Sequence, residues 1–308
     1  MPADARPRLA RTRGAPLPIA RDALLPYLRL VRAPAAFSAL GDPLAGLLAG
    51  GRVPTAGRAA RLSASSALIY LAGMALNDLA DREEDARDRP ERPIPSGAVS
   101  PKAAAIVGGS LLLAGVVAAN GAGARWTGPA LAGLVLAYDF GLKRSETLGP
   151  IAMGGCRALS LMMGVEAARS RRRWSRASSS RGTESALLLG AYVAGLTLLA
   201  RSETGAARER ELRGGAALAG AALLAAAVRG APGSLPWSVA AAGLAGPAVA
   251  RALREPAPST VGPAVGALIR AIPALDGALA VPRRPAPALV LLSLLGLTRW
   301  GRTLIPIS

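Results

Sequence analysis

The chain has 308 residues, of which 51% are hydrophobic and only 18% are charged, against roughly 25% charged in soluble domains. Its formal net charge of +18 would suit nucleic acid, but aromatic residues make up only 3% and offer few stacking surfaces for bases. The arginines stand mostly between apolar segments, as expected for a protein in contact with anionic membrane lipid. Because histidine is absent, imidazole bases and His-rich metal sites are excluded, and carboxylates must carry any metal chemistry.

The first 22 residues are rich in Ala, Pro and Arg and contain no long apolar run. We expect a basic, disordered tail here rather than a secretory signal, although a transit peptide would share this composition. Residues 23–308 are expected to form a single integral membrane domain.

Apolar stretches of about the length that crosses a bilayer follow one another through this domain. They predict an all-α, multi-spanning transmembrane bundle of nine or ten helices, and their many Gly and Ala residues allow close packing in lipid. The predicted spans cover residues 23–50, 62–79, 103–120, 126–142, 149–168, 185–200, 214–228, 235–250, 259–280 and 286–300.

Basic residues between the predicted spans indicate an orientation. Span counting places the tail, the loop over 82–102, the turn at 143–144 and the loop over 201–213 on one side, which the positive-inside rule makes cytoplasmic. The Arg-rich loop over 169–181 falls on the other side and disagrees. We therefore expect a protein of the bacterial inner (plasma) membrane whose active site faces the cytoplasm.

The second predicted span ends in an acidic cluster. Asp78, Asp81 and Asp85 are spaced to share one helix face, and Asn77 borders that face through its i+4 relation to Asp81. Carboxylates so close together repel and are costly at a membrane boundary, so the pattern predicts a cation between them. Mg²⁺ suits the site, because it takes one or two carboxylates and completes its shell with water and phosphate oxygens. A solvated charged loop paired with nearby arginines is the alternative.

The segment that follows, from Arg89 to Gly97, is interrupted by prolines and cannot continue as a regular helix. We expect a fixed loop folded over the acids. In it, Arg92 would reach a diphosphate, and Ser96 would cap the helix that begins at Pro101 or support the loop. An ordinary connector is the alternative.

Together, Asn77-Asp78-x-x-Asp81-x-x-x-Asp85 and the loop from Arg92 to Gly97 resemble the first signature of the UbiA superfamily of intramembrane prenyltransferases. The flanking spans fit the same family, and residues 148–159 are similar to the UbiA-like branch of ebo-type gene clusters.

A tyrosine and a Lys-Arg pair after the fourth predicted span resemble a second family feature, which contacts the diphosphate. They are Tyr138, Lys143 and Arg144, although Tyr138 stands further from the lysine than in commoner members. Lys143 and Arg144 also fit simple positive-inside anchors.

The resemblance implies a Mg²⁺-dependent prenyltransferase that moves an isoprenoid group from a prenyl diphosphate to a lipophilic acceptor, with diphosphate release, in contact with membrane lipid. It implies catalytic roles for Asp78, Asp81 and Asp85, which would hold Mg²⁺ together with Asn77. The implied diphosphate-binding residues are Asn77, Arg92, Tyr138, Lys143 and Arg144. The acceptor could be an aromatic ring, a prenylated glycerol phosphate or a tetrapyrrole, and the sequence does not choose among them.

One departure from the family concerns its second acidic cluster, Asp-x-x-x-Asp, after the sixth span. Here Glu203 is a weak candidate for this second site, while Glu209 and Glu211 stand too far along and read as exposed acids paired with arginine. This departure supports an alternative function, a non-catalytic prenyl-lipid carrier or scaffold. An ordinary transporter would show repeated halves, and the sequence has no such repeat.

Isolated charged residues also occur inside predicted spans, where they usually serve function. Asp42 and Asp276 would face a central cavity or cap the breaks at Pro43 and Gly277. Arg157 would face the cavity or pair with an acid.

Overall fold

The computed structural model describes residues 18–33, 39–51, 55–169, 176–203, 209–229 and 233–280. Within these ranges all regular structure is helical, which confirms the all-α class. Short 3₁₀ helices cover Leu142–Arg144 and Arg201–Glu203. The α-helices are α1 Pro18–Leu30, α2 Asp42–Ala49, α3 Ala56–Ala80, α4 Arg82–Asp88, α5 Pro101–Ala122, α6 Thr127–Phe140, α7 Leu148–Arg169, α8 Arg176–Ala200, α9 Glu209–Arg229, α10 Ser234–Arg254 and α11 Pro258–Ala280.

Six of the described helices are long and apolar enough to cross a membrane, namely α3, α5, α7, α8 from Ser180, α9 and α11. Each contains one of the predicted spans. Helix α6 has 14 residues and is therefore about 21 Å long, less than the hydrocarbon thickness of a bilayer. The predicted number of nine or ten spans is thus not confirmed, and the last predicted span, over 286–300, lies outside the described residues.

The prediction of one span over residues 23–50 is wrong, because two helices lie there. Helix α1 ends at Leu30, and α2 begins at Asp42 with Pro43 in its first turn. Proline suits a helix start and disrupts a helix interior, so the chain restarts at this point. Helix α1 also begins at Pro18, inside the predicted tail, and residues 1–17 lie outside the described part.

Small residues set the distances between the central helices, as the composition predicted. A side chain at Gly46 of α2 would overlap the Leu161 carbonyl of α7, and one at Gly164 of α7 would overlap the Pro43 carbonyl. Glycine at both positions lets the two backbones touch. Large apolar side chains such as Ile106 and Leu113 of α5 instead point outward and are exposed, as expected where lipid is the solvent.

Several polar connections meet at one end of the bundle. Lys143, in the turn after α6, contacts Asp81 at the end of α3, and Arg201, after α8, donates a hydrogen bond to the Lys143 carbonyl oxygen at 3.5 Å. Charge counting along the sequence predicted a common side for these segments. The fold therefore gathers the candidate residues at one mouth of the bundle.

Candidate active site

The acidic cluster lies where α3 gives way to α4. Asp81 is the junction residue, yet its N–H bonds to the Asn77 carbonyl at 2.9 Å and the Asp85 N–H bonds to the Asp81 carbonyl at 2.8 Å. Helical spacing therefore continues across the junction and keeps Asp78, Asp81 and Asp85 in the predicted register. Asp78 and Asp85 are buried, with 3% and 4% of their surfaces exposed.

The proline-rich loop after α4 brings Arg92 onto this cluster. Backbone hydrogen bonds from Ser96 N–H to the Arg92 carbonyl and from Val99 N–H to the Pro93 carbonyl close the loop. Arg92 Nη1 then donates to Asp85 Oδ2 at 2.6 Å and to Asp78 Oδ1 at 3.3 Å.

The structure distinguishes the two roles predicted for Ser96, which were to support the loop or to cap the next helix. Its hydroxyl donates to the Pro93 carbonyl within the loop at 3.4 Å, so it supports the loop. The cap of α5 is Ser100, whose hydroxyl accepts a hydrogen bond from the Ala103 N–H at 3.2 Å.

Lys143 is the second cation at the cluster. Its Nζ lies 2.6 Å from Asp81 Oδ1 and donates to Asn77 Oδ1 at 3.0 Å. Asn77 in turn donates from Nδ2 to Asp81 Oδ2 at 3.1 Å, which is the predicted i+4 contact. Arg144 points elsewhere: it is exposed and lines a polar depression of about 320 Å³ that also includes Asp81.

Arg32, two residues after the end of α1, is a third cation that the sequence reasoning missed. Its Nη2 lies 2.9 Å from Asp78 Oδ1. The sequence signal was weak, since Arg32 is one arginine among many in a chain with 37 Lys and Arg residues. Only the tertiary contact distinguishes it.

The cluster has the donor chemistry that a hard divalent cation requires, namely carboxylate oxygens and an amide oxygen. In the described part of the chain no three acidic or thiol side chains stand together as a ready-made metal site. Arginine and lysine groups contact Asp78, Asp81 and Asp85 instead. Metal binding by Asn77, Asp78, Asp81 and Asp85 stays a prediction, and it requires these cations to turn away from the acids.

A cavity of about 260 Å³ opens beside the cluster, between α2, α3, α6 and α7. Along α3 its lining runs from Asn77 to Ser66, which corresponds to about 16 Å of helix. Tyr138, for which the resemblance implies contact with the diphosphate, lines the cavity, and so does its neighbour Asp139, which sequence reasoning overlooked.

The far end of the cavity is polar. Arg157 Nη2 donates to Asp42 Oδ1 at 2.7 Å, which confirms the prediction that Arg157 pairs with an acid. Ser66 and Ser160 join their hydroxyls at 2.8 Å beside this pair. Asp42 lines the cavity, whereas Asp276 lies fully buried within α11 and is not among the lining residues.

The weak second site cannot be placed. Glu203 ends a 3₁₀ helix, but its side chain and residues 204–208 lie outside the described part of the structure. Glu209 begins α9 and forms an exposed ion pair with Arg213, as expected for a surface acid.

Residues 38–202 match the UbiA prenyltransferase family. The match covers more than half of the chain and includes the acidic cluster, the loop around Arg92 and the turn with Lys143. The chain therefore belongs to the UbiA prenyltransferase family.

Three curated relatives are digeranylgeranylglyceryl phosphate synthases of archaea. The protein of Ignicoccus hospitalis is 35% identical over 140 residues, which is 45% of this chain and 46% of that protein. That of Methanopyrus kandleri is 44% identical over 79 residues, 25% of this chain and 28% of that one. That of Methanothrix thermoacetophila is 53% identical over 53 residues, 17% and 20% respectively. The alignments thus span less than half the length of these relatives.

Solved structures share the fold over nearly their whole length. A structure of a digeranylgeranylglyceryl phosphate synthase matches with a TM-score of 0.61 and 18% identity, covering 84% of this chain and 98% of that one. An apo UbiA homologue from Aeropyrum pernix K1 matches with a TM-score of 0.60 and 17% identity over 87% and 97%. A UbiA homologue from Archaeoglobus fulgidus, bound to GPP and Mg²⁺, matches with a TM-score of 0.53 and 14% identity over 91% and 99%. These likenesses establish the helical fold.

Proposed function

We propose that this protein transfers an isoprenoid group from a prenyl diphosphate to a lipophilic acceptor in a Mg²⁺-dependent reaction. The observation that carries the proposal is the meeting of three carboxylates with Arg32, Arg92 and Lys143 beside a cavity. The carboxylates are suitable ligands for a divalent ion, and the arginine and lysine groups can bind diphosphate oxygens. The cavity has space for the prenyl carbon that reacts. The Mg²⁺ and GPP bound to the Archaeoglobus homologue support the same assignment.

In this proposal the ion pairs are a resting arrangement. Bound Mg²⁺ would neutralise charge on the leaving diphosphate. The carboxylates of Asp78, Asp81 and Asp85, with Asn77, would hold it, and Arg92 and Lys143 would exchange their carboxylate partners for diphosphate oxygens. Arg144, exposed beside Asp81, would attract the donor from the polar surface.

The residues and helices that line the cavity would have two further roles. Tyr138, at the cavity side of α6, would lie against the donor where the diphosphate joins the prenyl chain. The enclosing helices would exclude water from the allylic cation, so that the acceptor captures it before hydrolysis. The apolar chain would extend between helices toward lipid.

The proposed class of acceptor is narrower than the three classes that the sequence allowed. Three curated relatives bear the name digeranylgeranylglyceryl phosphate synthase, which favours the glycerol-type acceptor among the three candidate classes. A cytoplasm-facing site in a plasma membrane is proposed on the positive-inside rule alone.

A non-catalytic prenyl-lipid carrier is the second candidate. It is favoured by the loop after Ala200, where Glu203 alone stands in for a second acidic cluster. A carrier would bind the diphosphate without releasing it.

The deciding experiment uses membranes containing the protein, Mg²⁺ and labelled geranylgeranyl or farnesyl diphosphate, with and without lipid extract. We expect Mg²⁺-dependent diphosphate release and prenyl transfer, both at least about 100-fold slower in Asp81→Asn because charge stabilisation of the leaving group is lost. Glu209→Gln, which removes an exposed carboxylate, is the matched control and should keep wild-type rates.

Two results would contradict the proposal in different ways. Donor binding without release or transfer would support the carrier. Equal rates in Asp81→Asn and wild type would remove the acidic cluster from the mechanism.

A further inference from the structure

Asp139 is a buried carboxylate beside the reaction site for which the family resemblance assigns no role. Only 3% of its surface is exposed, it lines the cavity next to Tyr138, and its Oδ2 has no hydrogen-bond donor. A buried carboxylate oxygen without a donor is costly, and inside a membrane bundle such groups usually serve function.

The neighbouring cations do not bind Asp139. Lys143 lies four residues after Asp139 in the sequence, yet the Lys143 Nζ contacts Asp81 and Asn77. Asp78, Asp81 and Asp85 each form an ion pair, whereas the described contacts give Asp139 Oδ2 no partner. The oxygen is therefore available to a molecule in the cavity.

The cavity of about 260 Å³ leaves room for such a molecule beside Asp139. Gly73 of α3 lines the cavity too, and a Cβ built there would already be in van der Waals contact with Asp139 Oδ2 at 3.9 Å, so glycine at this position keeps the carboxylate accessible. Gly73 precedes Asn77 by four residues, about 6 Å along the helix. Asp139 thus meets the cavity roughly one helical turn from the residues that would hold the diphosphate.

We propose that Asp139 is the proton acceptor of the transfer reaction and that the acceptor reacts through an aliphatic hydroxyl group. This inference rests on the proposed function. The bond between the prenyl carbon and the diphosphate oxygen breaks, and diphosphate leaves with the electron pair. The hydroxyl oxygen bonds to that carbon, and its proton passes to Asp139 Oδ2. Water takes the proton when the product leaves.

The far end of the cavity fits an acceptor with additional oxygen atoms. Ser66, Ser160, Asp42 and Arg157 form this end, about 10 Å of helix from Gly73. Their hydroxyl, carboxylate and guanidinium groups provide hydrogen bonds for a polar molecule but a poor surface for a prenyl chain. A glyceryl ether and its phosphate both carry the reacting hydroxyl, and the experiment separates them.

The test compares wild type with Asp139→Asn in nanodiscs containing Mg²⁺. Labelled geranylgeranyl diphosphate is the donor, and the two acceptor probes are 3-O-geranylgeranylglycerol and its 1-phosphate. Donor affinity is measured separately with geranylgeranyl thiodiphosphate. We expect Asp139→Asn to bind this analogue as wild type does and to form the ether about 10²–10⁴-fold more slowly, since it lacks the base.

Two further variants complete the test. Asp139→Glu should recover part of the rate, because it keeps a carboxylate on the wall of the cavity. Glu209→Gln should transfer at the wild-type rate. If only one of the two acceptor probes is prenylated, the result would show whether the acceptor carries a phosphate group. It would still support the role of Asp139.

Several results would overturn the inference. Asp139→Asn could transfer at the wild-type rate, or could lose analogue binding and transfer together, which would indicate a structural or donor-binding role. Wild type could release diphosphate and prenylate neither alcohol, which would refute the hydroxyl acceptor. If wild type neither binds nor cleaves the donor, the proposed function itself fails and the inference fails with it.

Discussion

Arg32 adopts a left-handed backbone conformation with φ of 47°, which few residues other than glycine adopt. Such a conformation costs about 1–3 kcal/mol and persists only where surrounding contacts hold it. Here the Arg32 N–H bonds to the Arg29 carbonyl at 3.0 Å, and the side chain reaches Asp78. The strained turn after α1 thus directs a guanidinium group onto a buried acid of the candidate site.

Replacement of this guanidinium should impair donor use. We expect Arg32→Gln to lower kcat/KM for the prenyl diphosphate about 10–100-fold, because a hydrogen bond to a charged group contributes about 1.5–3 kcal/mol. Diphosphate release in proteoliposomes measures the change. Arg61→Gln, which removes only an exposed hydrogen bond to the Gly121 carbonyl, is the control. An unchanged kcat/KM in Arg32→Gln would show that Arg32 does not contribute to the site.

At the scale of the element, α6 holds Tyr138 and Asp139 at one end and depends on another helix at its other end. Its own N-cap residue, Trp126, makes no side-chain cap. Glu166 of α7 caps the start of α6 instead. Its carboxylate accepts hydrogen bonds from the Trp126 N–H at 3.1 Å, the Thr127 N–H at 2.9 Å and the Thr127 hydroxyl at 2.7 Å. A carboxylate also interacts favourably with the positive end of the helix dipole.

Loss of this cap should destabilise the protein. Glu166→Ala is expected to lower the free energy of unfolding by about 1–2 kcal/mol, as for other lost caps. Thermal unfolding in detergent measures the change. Glu184→Ala removes an exposed ion pair with Arg229 and should cost no more than about 1 kcal/mol. Equal shifts in the two variants would contradict a capping role for Glu166.

At the scale of the whole molecule, buried charges join helices that are distant in the chain. Asp42 of α2 pairs with Arg157 of α7, and α2 also packs against α11, in which Asp276 is fully buried. These contacts connect the half of the bundle that bears the acidic cluster with the C-terminal described helix. The pair therefore contributes to the assembly of the bundle as well as to the cavity.

A buried pair is most sensitive to the loss of one partner. Arg157→Met should destabilise the fold by about 3–5 kcal/mol by leaving Asp42 unpaired, whereas Asp42→Leu combined with Arg157→Met should cost less. Denaturant unfolding of the two single variants and the double variant forms the cycle that measures the coupling. Additive effects would show that the two charges are not coupled.

The helices were largely predictable because lipid imposes long apolar segments, and α3, α5, α7, α8, α9 and α11 each contain a predicted span. The break between Leu30 and Asp42 was not, since a mostly apolar pattern continues across it and Pro34 and Pro43 were the local signs of a helix boundary. Apolar length predicts membrane residence more reliably than it predicts where a helix stops.

The sequence by itself determined the class of this protein and its acidic cluster, because local spacing places Asn77, Asp78, Asp81 and Asp85 together on one helical register. It also indicated the loop with Arg92, since prolines act on the adjacent backbone. Only the tertiary structure decided which cations meet these acids. Arg32 and Lys143 approach from the segments that follow α1 and α6, and Asp139 became notable only through a cavity formed with Gly73 of α3. Such partners depend on packing between segments far apart in the chain, which local sequence pattern does not encode.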